Sequence, residues 1–228
     1  MKYDSMVLGR FLARPNRFIA HVKVGGREII AHVKNTGRCK ELLLPGATVY
    51  LQDWGEEHFG RKTRYDLIAV EKGSLLVNMD SQAPNKVFSE WAKEGRFVPG
   101  LTYLKPEAKW GNSRFDFYWE AGTRRGFVEV KGVTLEQDGL VRFPDAPTER
   151  GVKHLEELIL AREEGYETAV CFVIQMEGMR VFSPNDETHP AFGAALRKAA
   201  AAGVNVIAME CCVAPDSLRI TKEIPISL

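Results

Sequence analysis

The residues best suited to chemistry lie between Ser113 and Lys131. Ser113-Arg-Phe-Asp-Phe-Tyr-Trp119 and Gly126-Phe-Val-Glu-Val-Lys131 flank a turn that starts at Glu120. Both arms are rich in aromatic and β-branched residues, which predicts two strands. A hairpin symmetric about Gly122–Thr123 puts Asp116 opposite Glu129 and Arg114 opposite Lys131, and the alternation of strand side chains gives these four one face. Phe115, Phe117, Trp119, Val128 and Val130 take the other face, predicted to be the core side. Opposed carboxylates repel, so flanking cations, a proton or a bound cation must offset them. An Asp with Glu-x-Lys on the next strand can hold a hard divalent ion beside a lysine for phosphodiester chemistry. The same pattern also reads as an exposed polar face on which Arg114 and Lys131 balance the two acids.

A second candidate opens at Phe143-Pro-Asp-Ala-Pro-Thr148. It leads into the longest expected helix, to about Glu164, with Pro147 in the first turn and Gly165 at the stop. The start of a helix offers unpaired N–H groups and a positive dipole end, where phosphate binds. Val152, Leu155 and Ile159 recur at helical spacing and are predicted to face the core. Arg150, Lys153, His154 and Glu157 lie on another flank. Arg150, Lys153 and His154 are therefore candidate phosphate contacts, or a solvated flank paired with Glu149, Glu156 and Glu157.

The elements that must position these groups fall into two sets. Residues 6–13, Phe18–Val24, Arg27–Val33, Ala47–Asp53, Arg64–Glu71 and Ser74–Asn78 read as short strands, with Gly25-Gly26 as a two-residue hairpin turn. In that hairpin Lys23 pairs with Glu28, and Phe18, Ala20, Val22, Ile29, Ala31 and Val33 share an apolar face. Short strands at this density fit a small barrel of the oligonucleotide-binding type. Met79–Asn85 reads as a linker and Lys86–Arg96 as a helix. Glu107–Trp110 is an extended lead-in, broken at Gly111-Asn112. After the hairpin come a strand at Leu140–Phe143, the long helix, a buried strand at Thr168–Gln175, a helix at Ala191–Ala202 and a strand at Val204–Cys212. This order predicts an α/β domain with a mixed sheet. The expected division is a barrel over 1–82 and an α/β domain over 83–228.

Composition bounds the class. The chain is 45% hydrophobic and 27% charged, as ordinary globular proteins are. Nothing approaches the run of about 20 apolar residues that spans a membrane, and Met1-Lys-Tyr-Asp-Ser lacks a signal peptide's apolar run. The four cysteines make neither a zinc-ligand pattern nor a disulfide framework. A cytoplasmic location is expected. The net charge of +1 divides into +4 over residues 1–82 and −3 over the rest, so the first part is the one suited to a polyanion. No Walker loop, dinucleotide fingerprint, nucleophile elbow or His-Glu-x-x-His helix occurs.

Arg14-Pro-Asn-Arg-Phe18, Asn35-Thr-Gly-Arg38, Ser113-Arg-Phe-Asp-Phe117, Val128-Glu-Val-Lys-Gly-Val-Thr-Leu135 and Phe143-Pro-Asp-Ala-Pro-Thr-Glu-Arg-Gly-Val-Lys-His-Leu155 together resemble the sugar fermentation stimulation protein family (SfsA) over essentially the whole chain. The resemblance implies an N-terminal oligonucleotide-binding-type barrel and a C-terminal domain of the PD-(D/E)XK nuclease type. It also implies DNA binding and a link to sugar utilisation. The nuclease motif then falls on Asp116, Glu129 and Lys131. A further acid of such folds falls on Glu90 or Glu107.

The expected function is a DNA-binding protein with a Mg²⁺- or Mn²⁺-dependent phosphodiesterase site. Asp116, Glu129 and the Val130 backbone carbonyl would hold the metal, and Lys131 would act on the attacking water. Arg14, Arg17 and Arg38 in the barrel loops, with Arg114, Arg150, Lys153 and His154, would contact nucleic acid. The rivals are a non-catalytic DNA-binding regulator and an RNA-processing nuclease. No membrane partner is expected, and a homo-oligomer is left open.

Overall fold

The computed structural model describes residues 1–228 except 36, 57–59 and 112. Thr36 of the Asn35–Arg38 motif and Asn112 of the Gly111-Asn112 break lie outside the described residues.

The first strands are β1 (Met6–Asn16), β2 (Ile19–Val24), β3 (Arg27–Val33), β4 (Thr48–Asp53), β5 (Tyr65–Lys72) and β6 (Leu75–Asn78). They pair in the order β3-β2-β1-β4-β5-β6, and β3 also pairs in parallel with β5, which closes β1–β5 into the expected barrel. Gly25 and Gly26 both have positive φ, at 55° and 85°, so their turn keeps the right-handed strand twist and sets Lys23 opposite Glu28. Ala20, Val22, Ala31 and Val33 are buried as predicted, but Phe18 is not. It precedes β2 and stands 44% exposed under the Arg17 guanidinium, 4.7 Å from the ring centre.

The second part runs α1 (Ala83–Lys93), β7 (Tyr103–Trp110), β8 (Ser113–Ala121), β9 (Arg124–Val133), β10 (Leu135–Gln137), β11 (Leu140–Phe143), α2 (Glu149–Glu163), β12 (Glu167–Ile174), β13 (Val181–Pro184), α3 (Pro190–Ala201), β14 (Asn205–Ala214) and β15 (Ser217–Glu223). Its main sheet has the order β15-β14-β12-β9-β8-β7. It is mixed: β12 runs parallel to both β9 and β14, and the other pairs are antiparallel. A small sheet, β10-β11-β13, stands beside it.

Helices cover both faces. α1 lays Val87, Phe88 and Trp91 against Phe117, Trp119, Val128 and Val130. α2 lays Leu155, Leu158 and Ile159 against Phe127, Val170 and Phe172, with α3 beside it. Three expected boundaries shift. α1 starts at Ala83 because Pro84 suits a first helical turn, so most of the expected linker is helix or its lead-in. β7 begins at Tyr103, four residues early. Pro147 precedes the helix, and Thr148 is the N-cap, its hydroxyl accepting from the Gly151 N–H at 3.1 Å.

The two parts are tied through the barrel's last strand and one of its loops. The Asn78 N–H donates to the Gln175 carbonyl at 2.9 Å, and the buried Gln175 amide donates back to Asn78 and to the Asp80 carbonyl. The Arg38 N–H donates to Asp145 at 3.1 Å. A Cβ on Gly37 would lie 2.3 Å from the same carboxylate, so only glycine lets the loop approach so closely.

Candidate functional site

The central hairpin has the predicted register but not the predicted faces. Phe117–Val128, Tyr118–Phe127 and Trp119–Gly126 are paired, and the ladder ends at Phe117–Val128. Continued by one pair, this register sets Asp116 opposite Glu129. From there β8 continues only against β7 and β9 only against β12, so the two strands part as a fork. The Asp116 carboxylate takes over the missing backbone bond, accepting the Val130 N–H at 2.8 Å. Its other oxygen accepts from the Asn85 amide of α1, also at 2.8 Å.

Alternation along β8 breaks at the same point. Phe117 and Trp119 pack under α1, whereas Phe115 packs with Phe127, Trp110 and the α2 side. The expectation that Phe115 shares a face with Phe117 is therefore corrected. Its cross-strand neighbourhood supplies the cause: Glu107 of β7 has a φ of +52°, which bends the ribbon where β8 leaves β9. Arg114 does not meet Lys131. It is exposed and paired with Glu107 at 3.0 Å.

The polar side of the hairpin is covered rather than exposed. Glu129 is 3% exposed and His154, from α2, is 5% exposed. Glu129 Oε1 accepts from the Lys131 ammonium and from His154 Nδ1. His154 Nε2 in turn accepts from Arg150 Nε at 3.3 Å, which fixes the imidazole proton on Nδ1. The expectation that His154 lies on a solvent flank is corrected. A helix laid on a sheet buries a wide stripe, here Gly151, His154, Leu155, Leu158 and Ile159, and the narrow one drawn from Val152, Leu155 and Ile159 left His154 out. Arg150 remains exposed, and Lys153 is paired with Glu157 at 3.6 Å, its side chain 60% exposed.

Electrostatics separate the two acids. Burial, and then the charge of Glu129, push the Asp116 carboxyl above its ordinary range. Burial pushes Glu129 up as well, but the hydrogen bond from His154 and the Lys131 charge outweigh it and hold Glu129 below its ordinary range. Glu129 Oε2 is buried without a hydrogen-bond partner. An orphaned carboxylate oxygen beside a second carboxylate is the donor set a hard divalent cation takes, so Asp116 and Glu129 fit such an ion. The candidate third acids are engaged by other partners: Glu90 is bound by the Met1 ammonium at 2.7 Å, and Glu107, which the β7–β8 register sets across from Asp116, by Arg114 at 3.0 Å. Among the described residues no three His, Cys, Asp or Glu side chains gather to hold a metal.

The barrel cations divide by role. Both Nη atoms of Arg14 donate to backbone carbonyls, those of Gly37, Arg38, Arg17 and Asn35, at 2.7–3.0 Å. Arg14 thus staples the two loops together. Arg17 and Arg38 are exposed. With Lys40 they line a crevice of about 530 Å³ over Leu12 and Leu43. Gly37 also lines a smaller one of about 170 Å³ that reaches Gly132, the neighbour of Lys131. The two crevices share Gly37, and the smaller one follows the barrel loop to Gly132 and Thr134 at the end of β9. Sequence reasoning missed Asn85, Gln175 and the Ser113–Glu157 hydrogen bond. Only the capping-type Asn and a polar residue closing an apolar strand hinted at the first two.

The chain matches the family described as Sugar fermentation stimulation protein RE domain over residues 82–217, and SfsA N-terminal OB domain over residues 12–79. It is a member of the sugar fermentation stimulation protein family. A family homolog from Desulfitobacterium hafniense (strain Y51) is 58% identical over 219 residues, 96% of this chain and 95% of that one. Another from Clostridium beijerinckii is 53% identical over the full length of both. The structure of Pyrococcus furiosus SfsA in complex with Ca²⁺ is similar at a TM-score of 0.90 and 27% identity, covering 100% of this chain and 98% of that one. The SfsA architecture is thus an oligonucleotide-binding-type barrel followed by a mixed-sheet α/β domain. No described helix is long and apolar enough to cross a membrane.

Proposed function

We propose that this family member is a metal-dependent phosphodiesterase of the PD-(D/E)XK kind acting on nucleic acid, most directly DNA. The observation that carries the reading is the buried Glu129 carboxylate, with Oε2 unpartnered, beside Asp116 at the fork of β8 and β9. The Ca²⁺ held by the Pyrococcus furiosus relative supports it. Asp116, Glu129 Oε2 and the Val130 carbonyl would hold Mg²⁺ or Mn²⁺. When bound, the ion supplies Lewis-acid polarisation of a phosphoryl oxygen and lowers the pKa of a water.

The rest of the work belongs to the chain. The Lys131 ammonium, anchored on Glu129 Oε1, orients the attacking water and stabilises the hydroxide left when its proton passes to solvent. As the new P–O bond forms and the bond to the leaving sugar oxygen breaks, that oxygen takes a proton from solvent. His154, its proton on Nδ1, is a positioning residue: it occupies Glu129 Oε1 and leaves the buried Oε2 for the ion. Arg17, Arg38 and Lys40 hold phosphates on the barrel rim, and Arg150 extends that contact at the start of α2. Arg14 acts through the loops it staples. The four cysteines are free, which suits the cytoplasm.

A second reading, DNA binding without turnover by a regulator of sugar-metabolism genes, is favoured by one observation. Among the described residues no third acid or imidazole joins Asp116 and Glu129 in a metal-binding group. Labelled DNA and RNA incubated with Mg²⁺ or Mn²⁺ and scored for cleavage and binding decide the matter. Cleavage by the wild type, lost in Asp116→Asn and Lys131→Ala with binding retained, is expected. Binding with no cleavage of any substrate gives the second reading its place.

A further inference from the structure

Beside the fork, on the face of the β7–β8 ribbon, lies a groove of about 680 Å³ that the site described above does not use. Its walls are Tyr103, Lys105 and Lys109 of β7, Arg114 and Tyr118 of β8, and Tyr166 just after α2. Lys105 stands opposite Tyr118 and Lys109 opposite Arg114. Tyr103 is 48% exposed and meets Tyr118 edge-on, ring centres 6.3 Å apart. Arg125 stacks over Tyr166 at 4.8 Å. Glu107, the carboxylate in the groove, is taken by Arg114. Lys105 and Lys109 are exposed, and among the described residues neither has an ion-pair partner.

We propose that this groove binds an unpaired stretch of a nucleic-acid strand, bases against Tyr103 and Tyr118 and phosphates against Lys105 and Lys109, and that the preferred substrate carries a single-stranded segment. Aromatic faces between unpaired cations are the elements that hold single strands without reading sequence. A duplex keeps its bases stacked internally and offers such rings nothing, whereas its phosphates are served by the barrel rim. Asp116 lies between Arg114 and Tyr118 on β8, so a strand in this groove runs beside the fork. The substrate assignment rests on the phosphodiesterase reading. The binding assignment does not.

Fluorescence anisotropy in EDTA, where cleavage is off, tests it with labelled oligo-dT and a duplex of equal length. Tyr103→Ala and the double variant Lys105→Ala/Lys109→Ala are both on exposed positions, and thermal melts confirm folding. Each should weaken oligo-dT binding roughly tenfold and leave duplex binding within about twofold. Tyr103→Phe should restore the oligo-dT affinity, since the ring remains. Unchanged oligo-dT affinity in both variants overturns the proposal, as does an equal loss for the duplex, or a change confined to the sedimentation of the protein. If oligo-dT binding falls as expected while the wild type cleaves nothing with Mg²⁺ or Mn²⁺, the groove stands and the phosphodiesterase reading falls. If the wild type cleaves and the groove variants bind oligo-dT unchanged, the phosphodiesterase reading stands and the groove falls.

Discussion

Replacing Asp116 separates a metal site from a salt-bridged structural face. The carboxylate accepts two hydrogen bonds, from the Val130 N–H and the Asn85 amide, both at 2.8 Å. Asp116→Asn retains an oxygen for Val130, and its NH₂ can donate to Asn85 once that amide turns over, so it keeps both bonds and removes the repulsion with Glu129. Its metal-free stability should equal or exceed wild type. Asp116→Ala instead leaves a buried N–H unpaired, which costs about 1–3 kcal/mol. At about 2–4 °C per kcal/mol for a chain of this size, Tm should fall by about 2–12 °C. An ion binding only the folded state at a hundredfold excess over Kd adds about 2.7 kcal/mol, and Asp116→Asn should lose most of that gain. The pH dependence has a definite sign. Asp116 titrates higher in the folded than in the unfolded state, so the metal-free protein loses stability as pH rises through that window. Glu129, held low, acts in the opposite sense and loses its contribution as pH falls through its folded value. Metal competes with the Asp116 proton, so the metal-induced rise in Tm should grow with pH. Differential scanning calorimetry with and without Ca²⁺ or Mn²⁺ measures all of this. If Asp116→Asn is as unstable as Asp116→Ala and no variant responds to metal, the two acids are structural and the reasoning fails.

Three further outcomes follow from the same geometry. His154→Ala strips Glu129 of a buried partner and should destabilise by about 3–5 kcal/mol, comparable to the roughly 2–5 kcal/mol of Leu155→Ala, while exposed Arg150→Ala stays within about 0.5 kcal/mol; urea melts rank them. Arg17→Ala/Arg38→Ala should flatten the salt dependence of DNA binding by about 0.7–0.9 per lost phosphate contact with Tm unchanged, whereas Arg14→Ala should lower Tm because it releases the carbonyls of both loops. Burial, and then the charges of Asp145 and Glu41, push the Cys39 thiol up to about 12; it should resist alkylation in the folded protein, and its contribution to stability should be lost as pH rises from the ordinary thiol range through about 12.

Much of the architecture was legible because local signals agreed with tertiary demands. Gly25-Gly26 fixed a turn and hence the register that carries Lys23 to Glu28. The apolar run at 168–174 was a strand buried on both faces. The Asp116–Glu129 register followed from the turn alone. What failed were features decided by partners distant in sequence. The side change at Phe115 depends on a bend at Glu107 in a neighbouring strand. The burial of His154 depends on how α2 lies across β9, and the use of Arg14 depends on a loop more than twenty residues on. β10, β13 and β15 were missed too. The first two are three and four residues long, and β15 is a polar strand whose alternation is interrupted by a register shift against β14.

The bend at Glu107 has an effect on the outer border of the sheet. β7 is the last strand, and its free side presents backbone groups to which a passing chain could add. Pro106 withholds an N–H there, the left-handed Glu107 turns the next one out of line, and Lys105 and Lys109 place charge on either side. An incoming strand therefore cannot keep its hydrogen bonds in step for more than a few residues. The border resists strand addition and aggregation without any cover of its own, and so the ribbon's flat face can stay uncovered in a crowded cell.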